Sequence, residues 1–131
     1  MLKEEHTTKL ILEAYYNVYN RLGYGFLEKV YENALILELG RLGLHGLRQV
    51  KIDVYDLEKK VGEYFADVIV DDRVIIEIKA AEGIREEHEA QLLNYLRATH
   101  IEVGLLLNFG KKPQFKRQVF ENQYKKSVPT R

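Results

Sequence analysis

The chain contains no cysteine, no tryptophan, one methionine and only two prolines in 131 residues. Without cysteine there are no disulfides, thiolate metal sites or cysteine nucleophiles, a composition that suits a reducing compartment. No run approaches the roughly 18 apolar residues needed to cross a bilayer. The opening stretch Met1 to Lys9 lacks the hydrophobic core of a signal peptide. A soluble cytoplasmic protein that avoids membranes is therefore expected. Glycine-rich phosphate loops of the GxxxxGK type, zinc-ligand spacings and Ser-His-Asp arrangements are missing too, which disfavours phosphoryl hydrolysis on a small substrate. Nor is there an excess of one charge, since 20 basic and 20 acidic residues cancel. The balance is uneven, however. Lys111, Lys112, Lys116, Arg117, Lys125, Lys126 and Arg131 face only Glu121 after residue 110, so the C-terminal end is either a phosphate-facing surface or a solvated strand and tail.

What is present is apolar and aromatic: 46% hydrophobic residues, with nine Tyr and five Phe, argue for a packed interior rather than disorder. At this length one core is affordable and two are not, so residues 1–131 are expected to form a single domain with a frayed basic tail after about residue 122. Apolar residues recur at helical spacing from 7 to 22 (Leu10, Ile11, Ala14, Tyr15, Val18, Tyr19, Leu22), with Thr7 or Thr8 as cap. Gly23 and Gly25 permit a reversal. A second helix is predicted over 26–39, burying Phe26, Leu27, Val30, Tyr31, Ala34, Leu35 and Leu37. The period then drops to two. Strands are predicted at 50–55, 61–70 and 74–79, the last two joined by a reversal at Asp71-Asp72 as an antiparallel hairpin. The unbroken Val74-Ile75-Ile76 points to a central strand. A helix over 85–98, a buried strand over 102–109 and an edge strand over 115–120 follow, with Pro113 breaking the chain between the strands. Three leading strands exclude a doubly wound nucleotide-binding fold and leave an α/β unit on a mixed sheet.

Glu77 and Lys79 are two apart on a strand, so they leave one face. Opposite charges on so apolar a strand are costly unless they bind something. Residues whose numbers sum to about 143 stand opposite across the hairpin, placing Asp67 near residue 76 and diagonal to Glu77; a one-residue shift makes the two acids direct neighbours. Two carboxylates in reach of each other repel unless a proton or cation lies between them, and an oxygen-rich pair suits Mg or Mn. A metal there would polarise a phosphodiester and lower the pKa of a water, with Lys79 orienting that water or neutralising charge on phosphorus. A surface salt-bridge cluster accounts for the same residues more blandly. His88, Gln91 and Tyr95 share one face of the following helix; Gln91 can bind phosphate or a water, and His88 can act as ligand, base or hydrogen-bond partner. The tyrosines Tyr15, Tyr16, Tyr19, Tyr24 and Tyr31 can stack bases, although core and subunit packing explains them more cheaply.

Five blocks in order carry a family resemblance: Gly25-Phe26-Leu27-Glu28-Lys29-Val30-Tyr31, Gly62-Glu63-Tyr64-Phe65-Ala66-Asp67, Ile76-Glu77-Ile78-Lys79-Ala80, His88 through Leu96, and Gly104 through Gly110. Together the chain resembles the GxxExxY proteins, grouped with the PD-(D/E)XK nuclease superfamily. The resemblance implies an α/β, restriction-endonuclease-like αβββαβ core, with a mixed central sheet flanked by helices and an N-terminal helical hairpin. It implies Asp67 as the acid of the PD half, Glu77-Ile78-Lys79 as the (D/E)XK half, Glu28 as a helical acid that joins the metal, and Gln91 as the glutamine after the core lysine. Phe65 stands where many relatives carry Arg.

The leading expectation is a nuclease dependent on Mg, with Mn as the alternative metal, that hydrolyses DNA, RNA being the alternative substrate. The catalytic set is Asp67, Glu77, Lys79 and Gln91, and the metal set is Glu28, Asp67 and Glu77. The alternative is a non-catalytic module that keeps the nuclease fold and binds nucleic acid or protein. So small a domain has little surface for reading sequence, which favours a homodimer or a recruiting partner.

Overall fold

The computed structural model describes residues 2–126. Two helices come first, α1 (Glu5–Leu22) and α2 (Glu28–Arg41), followed by strands β1 (Gly46–Asp56), β2 (Lys59–Val70) and β3 (Val74–Lys79). Helix α3 (Glu86–Arg97) then crosses to β4 (Val103–Phe109), and β5 (Pro113–Val119) closes the sheet before a 3-10 turn, Asn122–Tyr124. The strands lie in the order β1-β2-β3-β4-β5. All neighbours are antiparallel except β3 and β4, whose parallel pairing requires the α3 crossover. The result is an α/β fold with a mixed central sheet flanked by helices and an N-terminal helical hairpin.

Alternation along the strands divides the interior into two cores. Val68, Val74, Ile76, Ile78, Leu105 and Leu107 pack with α1 and α2 on one side. Ala66, Ile69, Ile75 and Leu106 pack with Leu92, Tyr95 and Leu96 of α3 on the other. β3 and β4 are buried almost end to end, as the unbroken Val74-Ile75-Ile76 run predicts for a central strand. α3 comes close to the sheet at Gly104, where a Cβ would stand 2.7 Å from the Leu92 side chain.

Several boundaries differ from the periodicity. α1 starts before Thr7 and Thr8, which are buried inside it; Thr8 donates its hydroxyl to the Glu4 carbonyl (3.0 Å) instead of capping. α2 starts at Glu28, because Gly25 has a positive φ of 111° and Leu27 is extended. Phe26 and Leu27 consequently precede the helix and are exposed; Val30 and Leu37 lie on its outer face, because the buried stripe of α2 is Tyr31, Glu32, Leu35, Glu38 and Leu39. Glu38 is tolerated there by Arg21 (3.0 Å), Arg41 (2.7 Å) and Asn17 (2.9 Å). The tyrosines of the helices are mainly structural. Tyr15 bonds the Asn108 carbonyl, Tyr19 donates to Gly110 (2.7 Å) and Tyr31 donates to Gly23 (2.7 Å) while stacking on Phe109. The tail expected after residue 122 is anchored in part by Lys125, which donates to the carbonyls of Thr99 (2.9 Å) and Ile101 (2.7 Å); residues 127–131 lie outside the described residues.

Candidate active site

β2 and β3 form a ladder only at Val70↔Val74, Ile69↔Ile75 and Val68↔Ile76. The partner numbers sum to 144, so Asp67 falls directly opposite Glu77 and not diagonal to it. The first rung is Val70↔Val74, so Arg73 joins Asp71 and Asp72 in the loop; Asp71 and Asp72 both take positive φ, and Arg73 closes the turn by donating its N–H to the Val70 carbonyl (2.9 Å). Where the next rung belongs, side chains replace the backbone. The Asp67 N–H donates to Glu77 Oε2 (2.8 Å) and the Ile78 N–H donates to Asp67 Oδ2 (2.8 Å). The two acids thus sit in the seam where the strands separate, and each satisfies a backbone donor that the split leaves open. β3 stays fixed from its other edge, where pairing with β4 runs on to Lys79↔Asn108.

The alternation of β1 and β2 also inverts at this point. Ala66 packs on the α3 side and Val68 on the opposite side, although residues two apart in a regular strand share a face. The compensating distortion falls on Gln49, between the Arg48↔Val68 and Val50↔Ala66 rungs, with a φ of 49°. Gln49 donates to Glu32 Oε1 (3.0 Å) and, more weakly, to Asp67 Oδ1 (3.4 Å).

Electrostatics mark the seam as frustrated. Glu77 is 3% exposed. Burial first, and the Asp67 charge second, push its carboxyl up to about 8, against the smaller pull of the Asp67 N–H and Lys79. Burial also raises the Asp67 carboxyl, with the Glu32 charge adding to it and the Ile78 N–H opposing. Glu28, in the first turn of α2, accepts the Ala80 N–H (3.3 Å) just beyond Lys79, and its charge also bears on Glu77. The Ala80-Ala81 segment is clamped in turn. Asn108, fully buried, accepts the Ala81 N–H and donates to the Ala81 carbonyl, both at 3.0 Å.

The residues singled out from the sequence thus fall into two groups. Asp67, Glu77, Lys79 and Glu28 gather around the seam. Gln91 and Tyr95 approach from α3, with Gln91 Nε2 donating to the Tyr95 hydroxyl (2.9 Å). Burial raises the Tyr95 phenol first, and the charges of Glu77 and Asp67 add to this. His88 is occupied elsewhere, its Nδ1 accepting the Arg85 N–H (3.1 Å) at the start of α3. Sequence reasoning missed Glu32, Gln49, Asn108 and Tyr64. Only Glu32 carried a signal, four residues after Glu28 and so on the same face of α2.

Among the described residues no three His, Cys, Asp or Glu side chains form a ready-made metal cluster. The donor chemistry nevertheless fits a hard divalent cation. Two carboxylates held above their ordinary range by desolvation and by the negative charges beside them, Glu32 for Asp67 and Asp67 for Glu77, are what such a cation relieves, and magnesium is commonly held by one or two carboxylates with waters and substrate oxygens.

A mixed sheet with a split hairpin, carrying an acid on one strand and Glu-x-Lys on the next, defines a nuclease-like α/β class. A family model described as the PD-(D/E)XK nuclease superfamily matches residues 5–119, and the chain belongs to that superfamily. No curated protein matches the chain. A solved structure described as the crystal structure of SSO0001 superposes with a TM-score of 0.48 at 16% identity, covering 71% of this chain and 50% of that one. The chain therefore spans about half the length of that protein.

Proposed function

We propose that the chain is a divalent-metal-dependent nuclease that hydrolyses phosphodiester bonds in DNA at the β2–β3 seam. The observation that carries this reading is the pair of side-chain bonds across the split, Glu77 accepting the Asp67 N–H and Asp67 accepting the Ile78 N–H, which brings two carboxylates together within the field of the Lys79 charge. Asp67 and Glu77 would hold magnesium or manganese, with Glu28 reaching in from α2. When bound, such an ion polarises a phosphodiester oxygen and acidifies a water. Glu77 must first give up its proton, since burial keeps that proton on up to about pH 8. Lys79 orients the attacking water or offsets the negative charge growing on the phosphoryl oxygens. Gln91 holds the Tyr95 hydroxyl and offers its amide to the phosphate.

A binding module without catalysis is the second reading. It is favoured by the exposed Tyr24, Phe26 and Leu27 beside Glu28. Cleavage of labelled single-stranded, duplex, flapped and branched DNA, and of RNA, in magnesium, manganese or chelator separates the two. The nuclease cuts with metal and loses cutting in both Glu77→Ala and Lys79→Ala. A folded, metal-saturated wild type that cuts nothing supports the module.

A further inference from the structure

β1 and β2 continue well past the end of their contact with β3, down to Asp56↔Lys59, so residues 50–66 form a two-stranded arm. Helix α3, seated on the other strands, faces one side of this arm and meets it at the Tyr64 and Tyr95 rings. Between them is a cleft of about 580 Å³, lined by Val54 and Tyr64 from the arm, Gln91, Asn94, Tyr95 and Arg97 from α3, and Lys126. Its volume falls in the range of small-ligand sites.

Three observations say what this cleft takes. Its floor is aromatic: the Tyr64 and Tyr95 rings have centroids 5.8 Å apart, and Tyr64 is half exposed, so one ring face remains accessible. Beside the rings stand two carboxamides: Gln91 Nε2 is held by the Tyr95 hydroxyl (2.9 Å) and Asn94 Oδ1 by Arg97 (3.3 Å), so the Gln91 oxygen is the acceptor and the Asn94 amide the donor that meet the edge of a nucleobase. Arg97 and Lys126 put positive charge at the rim, against the single acid Glu87. The cleft neighbours the seam through its two tyrosines, although none of the seam acids lines it. Tyr95 lines it while feeling the charges of Glu77 and Asp67, and Tyr64 precedes Asp67 by three residues on β2, roughly 10 Å along an extended strand.

We propose that this cleft is a subsite for an unpaired DNA base, stacked on Tyr64, belonging to the strand whose phosphate lies at Asp67, Glu77 and Lys79. Resting on the nuclease reading above, it narrows the substrate to DNA that is single-stranded next to the scissile bond. A paired base has both faces covered by its neighbours in the duplex and its edge engaged by its partner, so only an unstacked base can offer a face to Tyr64.

The test is fluorescence-anisotropy binding in chelator, which stops cutting, of labelled single-stranded DNA, blunt duplex and single-stranded RNA. Wild type, Tyr64→Leu, Tyr64→Phe and Asn94→Ala are compared. Single-stranded DNA is expected to bind more tightly than duplex, to weaken about tenfold in Tyr64→Leu and to keep its affinity in Tyr64→Phe. An abasic position scanned along the DNA should weaken wild type at one position and leave Tyr64→Leu indifferent there. Equal affinity of wild type and Tyr64→Leu, no position sensitive to base removal, or Tyr64-dependent binding confined to RNA each overturns the subsite. Tyr64-dependent binding by a protein that never cuts DNA keeps the subsite and removes the nuclease, whereas metal-dependent cutting indifferent to Tyr64 does the reverse.

Discussion

Glu77 is buried, yet it has to be ionised to do what is proposed for it. Its folded-state carboxyl titrates at about 8, far above that of an exposed glutamate. The folded protein therefore holds a proton that the unfolded chain releases from about pH 4.5 upward, so without metal stability falls as pH rises from about 4.5 to about 8. Thermal melts in chelator should show this decline in wild type and a flatter profile in Glu77→Gln. A cation must expel that proton, so manganese affinity should rise by about tenfold per pH unit and level off above pH 8. Glu38 behaves in the opposite sense. Its hydrogen bonds to Arg41 first and Asn17 next hold its carboxyl down to about 2. The stability it contributes is complete above the unfolded value and is lost as pH falls toward 2. Glu38→Ala should destabilise by about 2 kcal/mol at neutral pH in urea melts, and acid should then cost it less than wild type.

The elements that carry the site are held by close approaches, with α3 also capped by His88, which accepts the Arg85 N–H. Asn108 acts as a rung of sheet for Ala81, keeping the exit of β3 beside Glu28. Asn108→Ala leaves the Ala81 groups unpaired and should lower both the melting temperature and kcat, with KM changed less. Gly104→Ala drives a Cβ into Leu92 and should cost about 1–3 kcal/mol by lifting α3 from the sheet. Equilibrium unfolding measures it. These elements were largely legible in the sequence: the change from helical to alternating spacing near Val50 located the sheet and Val74-Ile75-Ile76 its centre, although β1 begins earlier, at Gly46, and Pro113, expected to break the chain before the edge strand, is the first residue of β5, paired with Phe109. The start of α2 was not legible. Phe26 and Leu27 read as a helical apolar face, whereas the positive φ at Gly25 and the extended Leu27 delay the helix to Glu28. The hairpin register was off by one because the longer turn, with Asp71 and Asp72 in left-handed conformations, cannot be told from a two-residue turn by composition alone.

Across the whole molecule, the acids of the seam outnumber nearby cations. Cancelling charges and an acidic first 110 residues leave few groups to neutralise phosphates. The salt dependence of DNA binding should accordingly be shallow, with a log–log slope no steeper than about −3. The same scale explains what the sequence concealed. Asp67, Glu77 and Lys79 were visible as residue types at strand spacing, but the bonds from the Asp67 N–H to Glu77 and from the Ile78 N–H to Asp67 exist only because β2 leaves β3 at that rung. Glu32 was not singled out, because only the fold brings Arg48 and Gln49 of β1 over it. Calorimetric titration of manganese at pH 8 into wild type, Asp67→Asn and Glu77→Gln tests the seam as a metal centre most directly. Saturable binding by wild type, lost in both variants while their circular dichroism is unchanged, is the predicted result; binding that survives both substitutions, or none by folded wild type, contradicts it.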